Sequence, residues 1–103
     1  MLLNYKVHKQ RKIAKMIRQE IAISMSKKTV YHPMIEVLFM TVQSVDISLD
    51  LRYATITVSF LRKTQAYHGI RILNKLAHNY RRLLAHKLNS KTVPRLKFTL
   101  NYI

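Results

Sequence analysis

Five side chains that can bind phosphate recur at every third or fourth position in the second half of the chain. They are Arg71, Lys75, His78, Arg82 and His86. At the roughly 100° per residue of an α-helix, they fall in one stripe about 80° wide, opposite a side that is mostly leucine. Cations in a row along a helix displace counterions from a phosphate backbone. The spacing therefore predicts a helix face that binds a polyanion.

The charge balance of the whole chain supports this prediction. Lys and Arg number 19 against 4 acidic residues, so the formal net charge is +15 over 103 residues. The acids are Glu20, Glu36, Asp46 and Asp50, and none follows Asp50. A helix face that is merely solvated usually carries charges of both signs. The composition favours nucleic acid as the partner, with an anionic membrane surface or a general surface excess of lysine as alternatives.

The same residue types argue against catalysis and metal binding. General acid–base catalysis by paired carboxylates needs two acids in one cleft. We expect Glu20 on a helix surface, Glu36 at the entry to a strand, and Asp46 and Asp50 on either side of a hairpin. A single glycine, Gly69, cannot build a glycine-rich phosphate loop. His78 and His86 lie about 12 Å apart along a helix, too far to share one ion. We expect no enzyme, no metal and no cofactor.

A second basic segment, "HKQRKIAKMIR", occupies the first helical region and repeats the theme. Asn79, near the middle of the second helix, could contact base edges. Its neighbour Tyr80 falls in the apolar arc and is predicted to be a core residue. The predicted RNA-binding set is Lys9, Arg11, Lys12, Arg71, Lys75, His78, Asn79, Arg81, Arg82, His86 and Lys87.

Hydrophobic periodicity assigns these residues to elements. Apolar residues three and four apart predict a helix over residues 7–25 and another over 70–88. Pro33 ends the first helical region and favours an extended His32. Alternation predicts strands over 37–49, 52–61 and 95–102, with a hairpin between the first two and a bulge near Gln43 and Ser44. The predicted inward face of the second strand carries Ala54, Ile56, Val58 and Phe60. The order α-β-β-α-β predicts an α+β fold with a three-stranded sheet packed against helices.

Length and composition set the remaining expectations. With 103 residues, 49% of them hydrophobic, the chain suits a single domain spanning residues 1–103. The absence of cysteine rules out disulfides. Neither a secretory signal nor a bilayer-spanning apolar stretch is evident. We therefore expect a cytoplasmic monomer with no membrane partner.

Three segments resemble a known family. In this order, "VDISLDLRYATITVSF", "LNKLAHNYRRLLAHKL" and "VPRLKFTLNY" resemble the ribosome-binding factor A family. The resemblance extends from the first helix to the last strand and implies a type II KH-like fold, α-β-β-α-(kink)-α-β. Its most specific residues are Val45, Ser48, Asp50, Leu51, Tyr53, Ala54, Arg81, Leu84, Leu88, Val93, Pro94, Leu96 and Phe98.

In that family an Ala-x-Gly helix–kink–helix replaces the usual Gly-x-x-Gly loop of KH domains. Ala77-His78-Asn79 falls on this motif, with Asn in place of Gly. The resemblance implies a kink at Asn79, because Asn is the residue besides Gly that best tolerates left-handed backbone. The helical spacing of hydrophobic residues nevertheless continues almost unbroken through Asn79. His32-Pro33-Met34 and Pro94-Arg95-Leu96 depart from the family's Asp-Pro-Arg and Pro-Glu-Leu. The family's C-terminal tail has no counterpart after Ile103, so we expect any function of that tail to be absent or supplied otherwise.

The resemblance also implies a function. It indicates a factor that binds 16S rRNA, near its 5′ region, in immature 30S subunits, assists rRNA processing and late assembly, and leaves before translation. A permanent ribosomal protein or a general KH-like RNA-binding module is the alternative. A peripheral membrane protein is disfavoured, because the apolar stripes are needed by a small core rather than by a bilayer.

Overall fold

Three helices and a mixed three-stranded sheet make up the fold in the computed structural model, which describes residues 2–88 and 93–101. The elements are α1 (Leu2–Lys27), α2 (Pro33–Leu38), β1 (Met40–Ile47), β2 (Tyr53–Phe60), a 3-10 turn (Lys63–Gln65), α3 (Ala66–Leu88) and β3 (Arg95–Leu100). The strand order is β1-β2-β3, with β1 antiparallel and β3 parallel to the central β2. The predicted α+β class is confirmed. The end predicted for β3 at residue 102 lies outside the described residues.

The central strand β2 behaves as its alternation predicts. Ala54, Ile56, Val58 and Phe60 are buried, whereas the residues between them are partly exposed. The parallel pairing with β3 aligns Ile56 with Phe98, so the inner face continues across both strands. One face of the sheet therefore meets the helices, and the opposite face is rich in hydroxyl groups.

Helix α1 covers the outer edge of β1. The register between β1 and β2 shifts just after Val42, which confirms the predicted bulge at Gln43. The Arg18 guanidinium donates to the carbonyls of Val42 and Gln43, at 3.1 Å each. The Gln10 amide donates to the Ile47 carbonyl at 2.9 Å. Side chains of α1 thus satisfy edge carbonyls that would otherwise invite pairing with another strand.

Helix α3 covers the opposite edge of the sheet through Asn74. The amide oxygen of Asn74 accepts from the Phe98 N–H at 2.9 Å, and its nitrogen donates to the Phe98 carbonyl at 3.1 Å. One side chain therefore satisfies both backbone groups of an edge residue. This pair fixes the position of α3 along β3.

The first predicted strand starts later than expected, because residues 37 and 38 belong to α2. His32 is extended and caps α2, with its Nδ1 accepting from the Met34 N–H at 3.1 Å. The helix ends at Phe39, whose φ of 55° lies in the left-handed region. Six helical residues are too few to show a helical period, so the apolar run was wrongly predicted as strand.

The hairpin between β1 and β2 is held by its own polar side chains. Asp50 accepts from the Ser48 hydroxyl at 2.7 Å and from the Arg52 N–H at 3.1 Å. The Tyr53 N–H donates to the Ser48 hydroxyl at 2.9 Å. The Ser48 hydroxyl, and then the Arg52 N–H, hold the pKa of the Asp50 carboxyl below its usual value. Leu51 takes a φ of 64°, which lets the chain reverse.

The hydrophobic core lies between the inner face of the sheet and the helices. Its members from α1, α3 and β3 are Ile13, Ile17, Ile21, Ala66, Ile72, Leu73, Ala77, Tyr80, Leu84 and Phe98. The Tyr80 and Phe98 rings pack with their centroids 5.9 Å apart.

In the described ranges, no helix is long and apolar enough to cross a membrane.

Gly69 is buried where α3 crosses Phe60, and we expect Gly69→Ala to destabilise the fold. An added Cβ would lie 2.6 Å from Phe60 Cζ and 3.0 Å from Leu38 Cδ1. The overlap should cost about 1–3 kcal/mol, which outweighs the roughly 1 kcal/mol that Ala gains over Gly in a helix. Urea unfolding of the variant and the parent protein measures the difference. Ala85→Gly, at an exposed position of the same helix, is the control for helix propensity; a more stable Gly69→Ala protein would contradict the packing argument.

Candidate nucleic-acid interface

The basic side of α3 is exposed because its other side is fully used by the core. Leu73, Tyr80 and Leu84 are each 1% exposed or less, so they fix the rotation of the helix about its axis. The Tyr80 hydroxyl also donates to the Val30 carbonyl at 3.4 Å. The prediction that Tyr80 is a core residue is confirmed.

The predicted stripe is exposed along its length. We call Arg71, Lys75, His78, Arg82 and His86 the α3 stripe; all five are exposed. Arg82 Nη2 lies 3.1 Å from His78 Nε2, one helical turn away. Because a guanidinium can only donate, His78 accepts with an unprotonated Nε2. This contact steadies two members of the stripe without neutralising the arginine.

No carboxylate balances the α3 stripe within the described ranges. Two ion pairs occur there, Lys28–Glu36 at 4.0 Å and Lys87–Glu20 at 3.1 Å, and neither includes a stripe residue. Glu36 also accepts a short hydrogen bond from the Tyr31 hydroxyl. That bond, and then the burial of the phenol and the nearby carboxylate charge, raise the pKa of Tyr31. Because neither ion pair includes a stripe residue, the stripe presents uncompensated positive charge.

Glu20 differs from its prediction as a helix surface residue. It is only 6% exposed, and its carboxylate contacts the Lys87 ammonium where the end of α3 meets α1. A buried carboxylate needs such a partner. The surface prediction was wrong because the crossing of the two helices is a tertiary feature. Lys87, predicted to bind RNA, also joins α3 to α1.

Arg81 points away from the stripe. Its Nε and Nη2 both donate to the Val93 carbonyl, at 3.3 Å each, and its side chain is half-buried. These bonds hold the residues that lead into β3 against α3. For Arg81, RNA binding stays a prediction, while its present contacts are structural.

Asn79 lies on the exposed side of an unbroken helix. α3 is one α-helix from Ala66 to Leu88, where the resemblance implied two helices separated by a kink. The left-handed residues in the described part of the chain are Lys28, Phe39 and Leu51, so Asn79 is not among them. Unlike glycine, Asn carries a Cβ that favours right-handed backbone, and buried residues on either side keep the helical phase. The implied kink is therefore corrected to a continuous helix.

The basic residues of α1 form a separate patch. Arg11 and Lys12 are exposed and Lys9 is half-buried. The polar contact between α1 and α3 runs through Glu20, which lies eight residues, or about 12 Å along the helix, beyond Lys12. The stripe and the basic residues of α1 thus lie on different helices, which are joined by the Lys87–Glu20 ion pair.

Two structural features that could take part in binding or packing were not predicted from the sequence. One is the Asn74 amide, which serves the edge of β3. The other is a groove of about 820 Å³ whose walls include Phe39, Leu61 and Tyr67. No sequence pattern links residues so far apart in the chain. Among the described residues, no three His, Asp or Glu side chains converge to hold a metal ion.

Comparison with known proteins identifies the family. The family model described as ribosome-binding factor A matches residues 9–102. The chain belongs to the ribosome-binding factor A family. Ribosome-binding factor A of Wigglesworthia glossinidia brevipalpis is 35% identical to it over 94 residues, which cover 88% of this chain and 73% of that protein.

Solved structures of ribosome-binding factor A share the fold. The crystal structure from Thermus thermophilus has a TM-score of 0.69 at 19% identity, covering 88% of this chain and 94% of that chain. A homology model of the Thermus thermophilus factor, fitted into a cryo-EM map of its 30S complex, has a TM-score of 0.57 at 20% identity, covering 95% and 92%. The hairpin residues that carry the resemblance to ribosome-binding factor A, including Ser48 and Asp50, are those whose hydrogen bonds form the turn.

Proposed function

We propose that the protein is a maturation factor of the small ribosomal subunit, which binds 16S rRNA near its 5′ region in immature 30S particles. The single observation that carries this proposal is the α3 stripe, whose five exposed members share a helix with no acidic residue. Membership of the ribosome-binding factor A family and the 30S complex of the Thermus thermophilus relative support the choice of partner.

Binding would rest on the rigid geometry of α3. Arg71 and His86 are fifteen residues apart, so the stripe extends about 22 Å along one straight element. Contacts of this kind bind phosphates and fix orientation, but they do not read base sequence. Recognition of one region of rRNA would then come from the shape of the RNA and from contacts elsewhere. The α1 patch of Lys9, Arg11 and Lys12 would add a second line of phosphate contacts.

The protein would act by binding alone. Holding the 5′ region of 16S rRNA in a fixed arrangement would assist processing and late assembly, while cleavage is left to nucleases. Release follows once the matured RNA no longer offers the same surface. This role needs neither a metal nor a cofactor.

Sedimentation through sucrose gradients tests the role. We expect the tagged protein to travel with immature 30S particles and to be scarce on translating 70S ribosomes. Equal occupancy of both would refute the maturation role and favour a permanent ribosomal protein. A protein that stays at the top of every gradient would refute ribosome binding altogether.

A further inference from the structure

A groove opens on the sheet side of the molecule, where β1 begins, β2 ends and α3 begins. Its volume is about 820 Å³, and Phe39, Leu61, Tyr67, Lys63, Gln43 and Asn101 are among the residues that line it. Clefts that bind small ligands have volumes of roughly 300–1,000 Å³. The groove is therefore large enough for a nucleotide.

Its apolar walls are not needed by the core. Phe39 is 58% exposed, Leu61 76% and Tyr67 68%. Three large apolar side chains from three different segments thus line one groove and are exposed to solvent. Such a cluster is typical of an interaction surface. Two of them carry flat rings.

Phe39 keeps its ring in the groove at a conformational cost. Its φ of 55° and ψ of 69° are left-handed, a conformation that bulky residues rarely adopt. The position ends α2, where glycine is the usual residue. An aromatic residue is unusual at a left-handed helix end, and a ligand that packs against the ring would explain its presence there.

The polar lining suits a nucleotide better than a peptide. The Gln43 amide nitrogen donates to the Ser59 hydroxyl at 2.7 Å, and both residues line the groove. Asn101 adds another amide, and Lys63 a cation. No acidic side chain is among the described lining residues, so the charge fits an anion. Rings, amides and a cation together form the usual surface for unpaired bases and their phosphates.

The groove continues the α3 stripe. Tyr67 lies four residues before Arg71, so the two side chains are neighbours on the same side of α3. An RNA strand whose phosphates follow the stripe would therefore reach the groove at the start of the helix. We propose that the groove holds an unpaired nucleotide of this RNA, with its base stacked on Phe39 and Tyr67. The inference rests on the proposed function, because it uses the same RNA.

The test uses the double variant Phe39→Gly, Tyr67→Ala in the full chain. Glycine adopts left-handed backbone without a Cβ penalty, so this change removes a ring without weakening the turn; thermal unfolding checks that the variant is folded. Binding is measured by anisotropy with a labelled 12-nucleotide single strand and with an RNA duplex. Since stacking contributes about 1–3 kcal/mol per base, we expect affinity for the single strand to fall about 5- to 100-fold, with the salt dependence and the duplex affinity unchanged.

A base analogue provides a direct readout. Fluorescence of 2-aminopurine in the strand should be quenched on binding to the parent protein and recover with the double variant. Tyr53→Ala, which removes an exposed ring at the hairpin end of the sheet, is the matched control and should leave both signals unchanged. Unchanged single-strand affinity and quenching in the double variant would overturn the proposal.

The outcomes separate this inference from the proposed function. If the double variant binds the single strand normally but no longer sediments with immature 30S particles, the groove holds a protein segment and the nucleotide proposal is wrong. If it retains both properties, the groove has neither role, and the function proposed for the stripe stands. If the parent protein binds neither RNA nor subunits, both proposals fail.

Discussion

Replacing Arg71, Lys75 and Arg82 together with glutamine is expected to weaken RNA binding about 10- to 100-fold near 0.15 M salt. Each of these exposed cations would release counterions on meeting a phosphate, and glutamine would release none. The logarithm of the binding constant falls linearly with the logarithm of salt, with a slope set by the number of phosphate contacts. Losing three contacts should reduce that slope by about two to three.

Fluorescence anisotropy across 50–300 mM salt measures both quantities. The fold should be unaffected, because exposed side chains seldom change stability by more than about 0.5 kcal/mol. Reducing the net charge of +15 also relieves repulsion within the folded chain. Equal melting temperatures of variant and parent would show that a loss of binding is not a loss of structure.

A control variant with the same net charge separates local contacts from overall attraction. Lys27, Arg95 and Lys97 are exposed and lie outside both the α3 stripe and the α1 patch. Changing these three to glutamine should weaken binding by less than about threefold, because long-range attraction alone is screened within about 8 Å at physiological salt. If both triple variants lose affinity equally, the positive charge acts as a diffuse cloud and the stripe is not the interface.

Periodicity predicted the long elements because it directly reports burial. In β2 every second residue faces the core, so alternation alone identified Ala54, Ile56, Val58 and Phe60. In α3 the leucines fixed one side and thereby the exposed stripe. The phase change at Gln43 predicted the bulge for the same reason: the inward side chains switch from even to odd positions there.

The sequence analysis failed where long-range contacts decide the structure. Glutamate is usually a surface residue, and only the crossing of α1 and α3 buries Glu20 beside Lys87. Arg81 belongs to the predicted RNA-binding set, which stays a prediction, and only the fold shows that its guanidinium also donates to the Val93 carbonyl. The apolar run before Phe39 is too short to show a helical period, so a six-residue helix there could not be distinguished from a strand. The two errors thus have different causes: Glu20 has a partner distant in sequence, whereas the helix before Phe39 is too short to show a period.

Raising the pH from 10 to 12 is expected to remove about 2 kcal/mol of stability through Tyr80 alone. Burial raises the pKa of Tyr80 to about 12, whereas an unfolded tyrosine has a pKa of about 10. Between these values the unfolded chain has lost the phenol proton and the native protein has kept it. Stability follows the difference in bound protons, so it is fully present below pH 10 and falls as pH rises toward 12.

The variant Tyr80→Phe should lack this loss. At pH 7 it should differ from the parent by only about 0.5–1 kcal/mol, because it removes a single hydrogen bond of 3.4 Å to the Val30 carbonyl. Urea unfolding at pH 7, 9, 10.5 and 11.5 measures the free energy of unfolding of both proteins. The gap between them should shift in favour of the variant above pH 10.

Comparing the two proteins at each pH is essential, because every other effect of pH is shared by parent and variant and cancels in the difference. Tyr5→Phe, which removes a phenol that is 64% exposed, is the control and should follow the parent. If the gap between Tyr80→Phe and the parent were constant from pH 7 to 11.5, the Tyr80 hydroxyl would have to ionise as easily in the native protein as in the unfolded chain. That result would contradict the burial of Tyr80 on the core side of α3, and with it the rotation of the helix that exposes the α3 stripe.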